Sequence, residues 1–139
     1  MSTPSPGPAV LQMRLVVEVD DFDAAVAFYR DTLGLSEQAA YQGDGGARVV
    51  ILDAGRATLE LTNAAQRQLI DRVEAGGRPS NTIRVAFEVP DTAAATQRLA
   101  AGGATLVAEP VETPWRSLNS RLEGPGLQLT LFQELASPG

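Results

Sequence analysis

Apolar and polar positions alternate between residues 14 and 19. Leu15, Val17 and Val19 point one way, Arg14, Val16 and Glu18 the other, the period-two pattern of a half-buried strand. The period then changes. Phe22, Val26, Tyr29 and Leu33 fall on one stripe of a helix. Asp20 or Asp21 supplies its N-cap, Asp23 an acid in its first turn, and Gly34 the residue that ends it. β-like runs follow at about 36–42, 47–53 and 57–62, separated by Gly43-Asp44-Gly45-Gly46 and Asp53-Ala54-Gly55. The Gly43–Gly46 segment reads as a hairpin tip, because no helix follows it and no Lys accompanies it as a phosphate loop requires. Residues 64–75 read as a helix with Leu69, Ile70 and Val73 as a small apolar stripe, ended by Gly76-Gly77-Arg78-Pro79. Then come a strand at 83–89, a helix at about 92–101 capped by Thr92 and closed by Gly102-Gly103, and runs near 104–109, 117–122 and 127–133.

The second series repeats the first. A shift of 70 residues carries Arg14-Leu-Val-Val-Glu18-Val19-Asp20-Asp21 onto Arg84-Val-Ala-Phe-Glu88-Val89-Pro90-Asp91. The same shift carries Asp53-Ala-Gly-Arg-Ala-Thr-Leu-Glu60-Leu61 onto Glu123-Gly-Pro-Gly-Leu-Gln-Leu-Thr130-Leu131. Two matches in one register, with no net insertion between them, mark a duplicated strand–helix–three-strand unit. The expected organisation is a lead at 1–11, a first unit at 12–63, a helical linker at 64–80, a second unit at 81–135 and a tail at 136–139. The lead carries Pro4, Pro6 and Pro8, and both termini read as disordered.

Composition narrows the chemistry. The 139 residues contain no Cys and no His, and all 11 basic residues are Arg. Disulfides, thiolate metal sites, Cys nucleophiles, Ser-His-Asp triads, imidazole bases and lysine chemistry are thereby excluded. A net charge of −6 disfavours nucleic acid as a partner, since phosphate binding needs a basic face. No apolar run approaches a membrane span, and the N-terminus has neither the basic start nor the apolar stretch of a signal peptide. The expectation is a cytoplasmic protein without a membrane partner.

The stretch Val19-Asp20-Asp21 to Phe28-Tyr29-Arg30-Asp31-Thr32-Leu33-Gly34-Leu35, with the closing Glu123-Gly-Pro-Gly-Leu-Gln-Leu-Thr-Leu-Phe132, resembles the vicinal oxygen chelate superfamily. That group includes glyoxalase I, the fosfomycin and bleomycin resistance proteins and the extradiol dioxygenases. The likeness spans about residues 12 to 134. It implies an α+β fold in which two βαβββ modules curl a mixed β-sheet into an open cup, in many members between the two chains of a homodimer. Metal-dependent members place ligands early in the first strand and in the last strand of each module. By the motif these positions are Arg14, Glu60, Arg84 and Thr130, and a guanidinium does not coordinate a metal. The resemblance therefore points to the metal-free, bleomycin-resistance-like branch. No metal and no cofactor are expected.

The alternation of the strands would place Arg14, Glu18, Arg84 and Glu88 on the cup floor with Glu60, Gln128 and Thr130. This set reads either as a structural charge network, with Glu60 between two Arg, or as a ligand anchor. In the network reading Glu60→Gln costs several kcal/mol, whereas Glu74→Gln on the linker helix barely registers. Trp115, with Arg116 beside it, is either a stacking platform at the cup mouth or a packed rim residue. Tyr41 occupies the matching loop of the first unit. The expected function is binding, and by analogy sequestration, of a small aromatic or hydrophobic molecule such as an antibiotic, by a homodimer. The alternative is a metal-independent lyase or isomerase using Glu18 or Glu60 as base and an Arg to stabilise developing charge.

Overall fold

The computed structural model describes residue 12, residues 14–58 and residues 60–136. The expected disordered lead at 1–11 lies outside them, as do the last three residues of the tail. Helix α1, Phe22–Val26, is capped by Asp21, whose side chain accepts from Ala24 N. It runs on as a π-helical turn, Ala27–Leu33, ended by Gly34 in the left-handed conformation (φ 101°) that the sequence assigned to this glycine. Strands β1, Ser36–Gln42, and β2, Arg48–Asp53, pair antiparallel around the Gly43–Gly46 tip. Helix α2, Ala64–Ala75, has the expected limits and is capped by Asn63. The second unit follows as β3, Val85–Glu88; α3, Thr92–Ala101; β4, Thr105–Glu112; β5, Ser117–Gly124; and β6, Leu127–Glu134.

These last four strands form one sheet in the order β3-β6-β5-β4, with β3 parallel to β6 and the rest antiparallel. The cap of α3 is Asp91, accepting from Ala94 N, not Thr92. Thr92 is the first helical residue, fully buried, with its hydroxyl donating to Leu118 O at 2.8 Å.

The two units are not equally built. By the repeat, 14–19 and 57–62 should pair beside β2 as β3 and β6 do beside β5, but among the described residues neither segment forms a strand. The reason lies in where the helices turn. Val85, Phe87, Leu129 and Leu131 have a core to join, made with Leu99 of α3, Leu122 of β5 and Phe28 from the first unit. Phe28 faces the second unit's core, so Leu15 (53% exposed), Val16 (87%) and Leu61 (84%) have no equivalent layer to bury against. A strand pair without a buried face is at best marginal in water.

What remains of the first segment packs elsewhere. Val17 and Val19 are half-buried against the β5–β6 turn, where a Cβ added to Gly126 would come within 2.9 Å of Val17 Cγ1. Gly126 also has φ 72°, in the left-handed region. Gly126→Ala is thus expected to lower stability by about 1 kcal/mol or more through conformation alone, with the steric contact adding to it. Urea unfolding of the variant checks this. Tyr29 closes the same corner by donating to Pro125 O at 2.7 Å, and burial pushes its phenol up to about 12, so it remains a donor.

Candidate functional site

The sheet has two faces. One carries Val85, Phe87, Ser120, Leu122, Leu129 and Leu131 against α3 and the core. The register aligns Ala86, Thr130 and Arg121 across β3, β6 and β5, so alternation puts Arg84, Gln128, Phe132, Asn119 and Glu123 on the opposite face with them.

At the centre of that opposite face lies a buried charge cluster. Arg121 is fully buried. Its Nε donates to Glu74 Oε1 at 3.2 Å, its Nη1 donates to Arg78 O at 3.2 Å, and Nη1 also lies 3.0 Å from Asp71 Oδ1. Glu74 is 4% exposed and accepts twice more, from Thr130 Oγ1 at 2.9 Å and from Asn119 Nδ2 at 3.1 Å. Arg84 Nη1 donates to Thr130 Oγ1 at 2.8 Å, which brings a second guanidinium to the edge of the cluster. Both carboxylates come from α2, three residues apart and hence on one side of the helix. Gln128 completes the face, accepting from Asn81 N at 2.8 Å and donating to Glu123 Oε1 at 2.8 Å.

Burial raises the carboxyl pKa of Asp71. The hydrogen bonds from Ser80 and the Arg121 guanidinium outweigh it and hold the group below its ordinary 3.8. A carboxyl depressed in the folded state contributes stability that is present above the unfolded value and lost as pH falls through the folded one. Urea unfolding followed downward from about pH 5 should therefore show stability falling below about pH 4. Asp71→Asn should flatten that part of the profile.

The expected Arg14–Glu60–Arg84 set is not formed. Arg14 is exposed and donates to Gln12 Oε1, Glu60 is exposed outside any strand, and Arg84 is engaged with Thr130. The buried carboxylate is Glu74, on the linker helix where the sequence reading expected a solvated charge. The correction has a physical source. The missing strands leave Glu60 in water, while α2 covers the polar face of the complete sheet and brings Glu74 against Arg121. Glu18 is exposed, outside any strand. Glu88 is exposed at the end of β3, where with Val89, Pro90, Gln133 and Glu134 it lines an open surface depression of about 470 Å³.

Trp115 is 49% exposed on the β4–β5 turn. Arg116 beside it has φ 64°, pairs with Glu112 and donates to Ala136 O at 2.9 Å, so its guanidinium is already engaged. Tyr41 is 61% exposed near the β1–β2 tip.

The four positions that the resemblance assigned to metal ligands, Arg14, Glu60, Arg84 and Thr130, do not suit a cation. Two are guanidinium groups, one of which donates to the third position, Thr130. Among the described residues no three carboxylates come together in a way that could hold a metal ion.

Asn119, Arg121 and Phe132 went unread in the sequence, although the signal was there. Leu118, Ser120 and Leu122 alternate with Asn119, Arg121 and Glu123 just as residues 14–19 alternate. The repeat obscured it, because the first-unit equivalents of Asn119 and Arg121 are Val49 and Ile51.

The mixed sheet β3-β6-β5-β4, with α3 on one face and α2 over the polar one, follows the strand–helix–three-strand order of a βαβββ unit. The glyoxalase/bleomycin resistance protein/dioxygenase superfamily model matches residues 12–128, and the chain belongs to that superfamily. Solved structures share the fold. A glyoxalase family protein from Bacillus cereus is 22% identical, with 96% of this chain and 100% of that chain covered and a TM-score of 0.57. A superfamily member from Sphaerobacter thermophilus is 24% identical over 85% and 92%, with a TM-score of 0.56. A glyoxalase-related enzyme from Fulvimarina pelagi is 17% identical over 90% and 89%, with a TM-score of 0.55. No curated protein matches the chain. Among the described residues no helix is long and apolar enough to cross a membrane.

Proposed function

We propose that the protein binds and sequesters a small aromatic or hydrophobic molecule on the polar face of the β3-β6-β5-β4 sheet, without a metal, in the manner of a drug-binding resistance protein. The observation that supports the reading is the half-buried Arg84 at the edge of that face, whose Nη1 donates to Thr130 Oγ1 and whose guanidinium carries further N–H donors for a ligand. Phe132, half-buried on the same face, offers an apolar surface beside it. The enzyme reading has less support: in the single chain Glu18 and Glu60 are exposed, and Arg84, which it would use to stabilise developing charge, is hydrogen-bonded to Thr130.

The site is a homodimer's in this reading. The unpaired segments at 14–19 and 60–63, with Leu15, Val16, Leu61 and the 67%-exposed Ile83, are apolar surface that a second copy would cover. A C2 interface of well over about 1,000 Å² follows from a cup closed between chains, and sedimentation at micromolar concentration tests it. The cytoplasm is the proposed location. A thermal-shift screen of aromatic antibiotics and metabolites, with divalent metals as controls, tests the function. Stabilisation by metals and by no organic ligand would contradict it.

A further inference from the structure

Three donors from two strands, β5 and β6, converge on one carboxylate that does not belong to the sheet. Thr130, Arg121 and Asn119 all donate to Glu74, and Arg84 stands behind Thr130. Helix α2, which supplies Glu74, is held mainly by charge. Residues 64–69 are exposed, Ile70 and Val73 are half-buried, and the buried residues are Asp71, Glu74 and Ala75. A helix held by ion pairs more than by apolar area can be released by an anion that takes over the pairing, because the buried guanidinium is then never left uncompensated.

The cluster also has unused capacity. Arg121 Nη2, on a fully buried side chain, and Asn119 Oδ1 and Asp71 Oδ1, on side chains 7% and 5% exposed, have no hydrogen-bond partner among the described residues, Asp71 Oδ1 keeping only its ion pair with Arg121 Nη1. Asn119 and Arg121 are successive same-face positions of β5. The nitrogen requires an acceptor and the two oxygens a donor. Glu74 offers acceptors only, so it cannot satisfy Asn119 Oδ1. A carboxylate with a hydroxyl or amino group on the adjacent carbon offers both.

We propose that this cluster is a binding site for a small organic acid of the 2-hydroxy or 2-amino class, with Glu74 occupying the carboxylate position in the free chain and α2 giving way when the acid binds. The proposal rests on the binding reading above and names the class of ligand. An aromatic remainder on the acid would lie toward Phe132, which pairs with Asn119 across β5 and β6.

The test is hydrogen exchange of the α2 amides in the full-length protein, with phenyllactate and phenylalanine as probes. The controls are 3-phenylpropanoate, which lacks the 2-donor, and phenyllactamide, which lacks the carboxylate. At saturation phenyllactate or phenylalanine should speed exchange across Ala64–Ala75 by about tenfold or more. The propanoate should bind more weakly and the amide should have no effect. Glu74→Ala, and Glu74→Gln should the alanine variant not fold, removes the internal competitor and should tighten phenyllactate binding by about tenfold.

Unchanged or slowed α2 exchange when phenyllactate binds would overturn the proposal. So would an amide that acts as well as the acid, or no acid binding at all. Neutral aromatic molecules that bind through Arg84 and leave α2 untouched would overturn the acid proposal alone, with the small-molecule reading intact.

Discussion

Arg121→Met should be among the most destabilising substitutions in the chain, at about 3–5 kcal/mol. It removes a fully buried guanidinium and leaves Asp71 and Glu74, 5% and 4% exposed, as two like charges without a cation between them. A buried pair broken from one side costs far more than the intact pair contributes, because the survivor keeps its desolvation penalty. Replacing Asp71, Glu74 and Arg121 together by apolar residues should therefore cost less than Arg121→Met alone. Glu60→Gln, at an exposed position outside any strand, should change stability by less than about 1 kcal/mol. Urea unfolding at fixed protein concentration measures all three, since dimer formation would add a concentration term. A small effect of Arg121→Met beside a large one of Glu60→Gln would place the buried charge where the repeat first suggested.

Phe28→Ala should cost about 3–5 kcal/mol. The ring is 3% exposed and sits with Leu99, Leu122, Leu129 and Leu131, so the first unit's helix contributes its main apolar residue to the second unit's core. Removing it opens a cavity between α1 and the sheet and also removes the edge-to-face contact with Tyr29, whose ring centroid is 4.9 Å away. Because one core serves both units, the loss should shift a single unfolding transition. Two probes check this, Trp115 fluorescence in the second unit and far-ultraviolet circular dichroism of the whole chain. A transition in which the two probes separate would mean that the units fold independently.

How far the fold was legible can be traced through the strands. Residues 83–133 alternate clearly and have a helix of Ala95 and Leu99 to bury against, so each predicted element forms within a few residues. Residues 14–19 alternate as well, and the same local signal fails there. Strand formation depends on a buried face, and the first helix gives its buried face to the second unit.

The site was half legible for a related reason. Arg84, Thr130 and Gln128 fall on the polar face because alternation along a real strand put them there. Arg14, Glu18 and Glu60 were carried there by repeat symmetry that the chain breaks. Glu74 and Asp71 were hidden by a different circumstance. Their spacing on α2 is plain in the sequence, but which surface a linker helix covers is a tertiary fact, and two acidic residues on a helix otherwise read as its solvated side.

The polar sheet face as a metal-independent binding surface is tested most directly by calorimetric titration of the best ligand from the thermal-shift screen, with and without EDTA, against the native chain and Arg84→Met. Arg84 is half-buried, and its hydrogen bond goes to Thr130, so its loss should spare the fold. EDTA should leave the affinity unchanged, and Arg84→Met should weaken it by about tenfold, or 1.4 kcal/mol. Affinity abolished by EDTA, or untouched by Arg84→Met, would contradict the account.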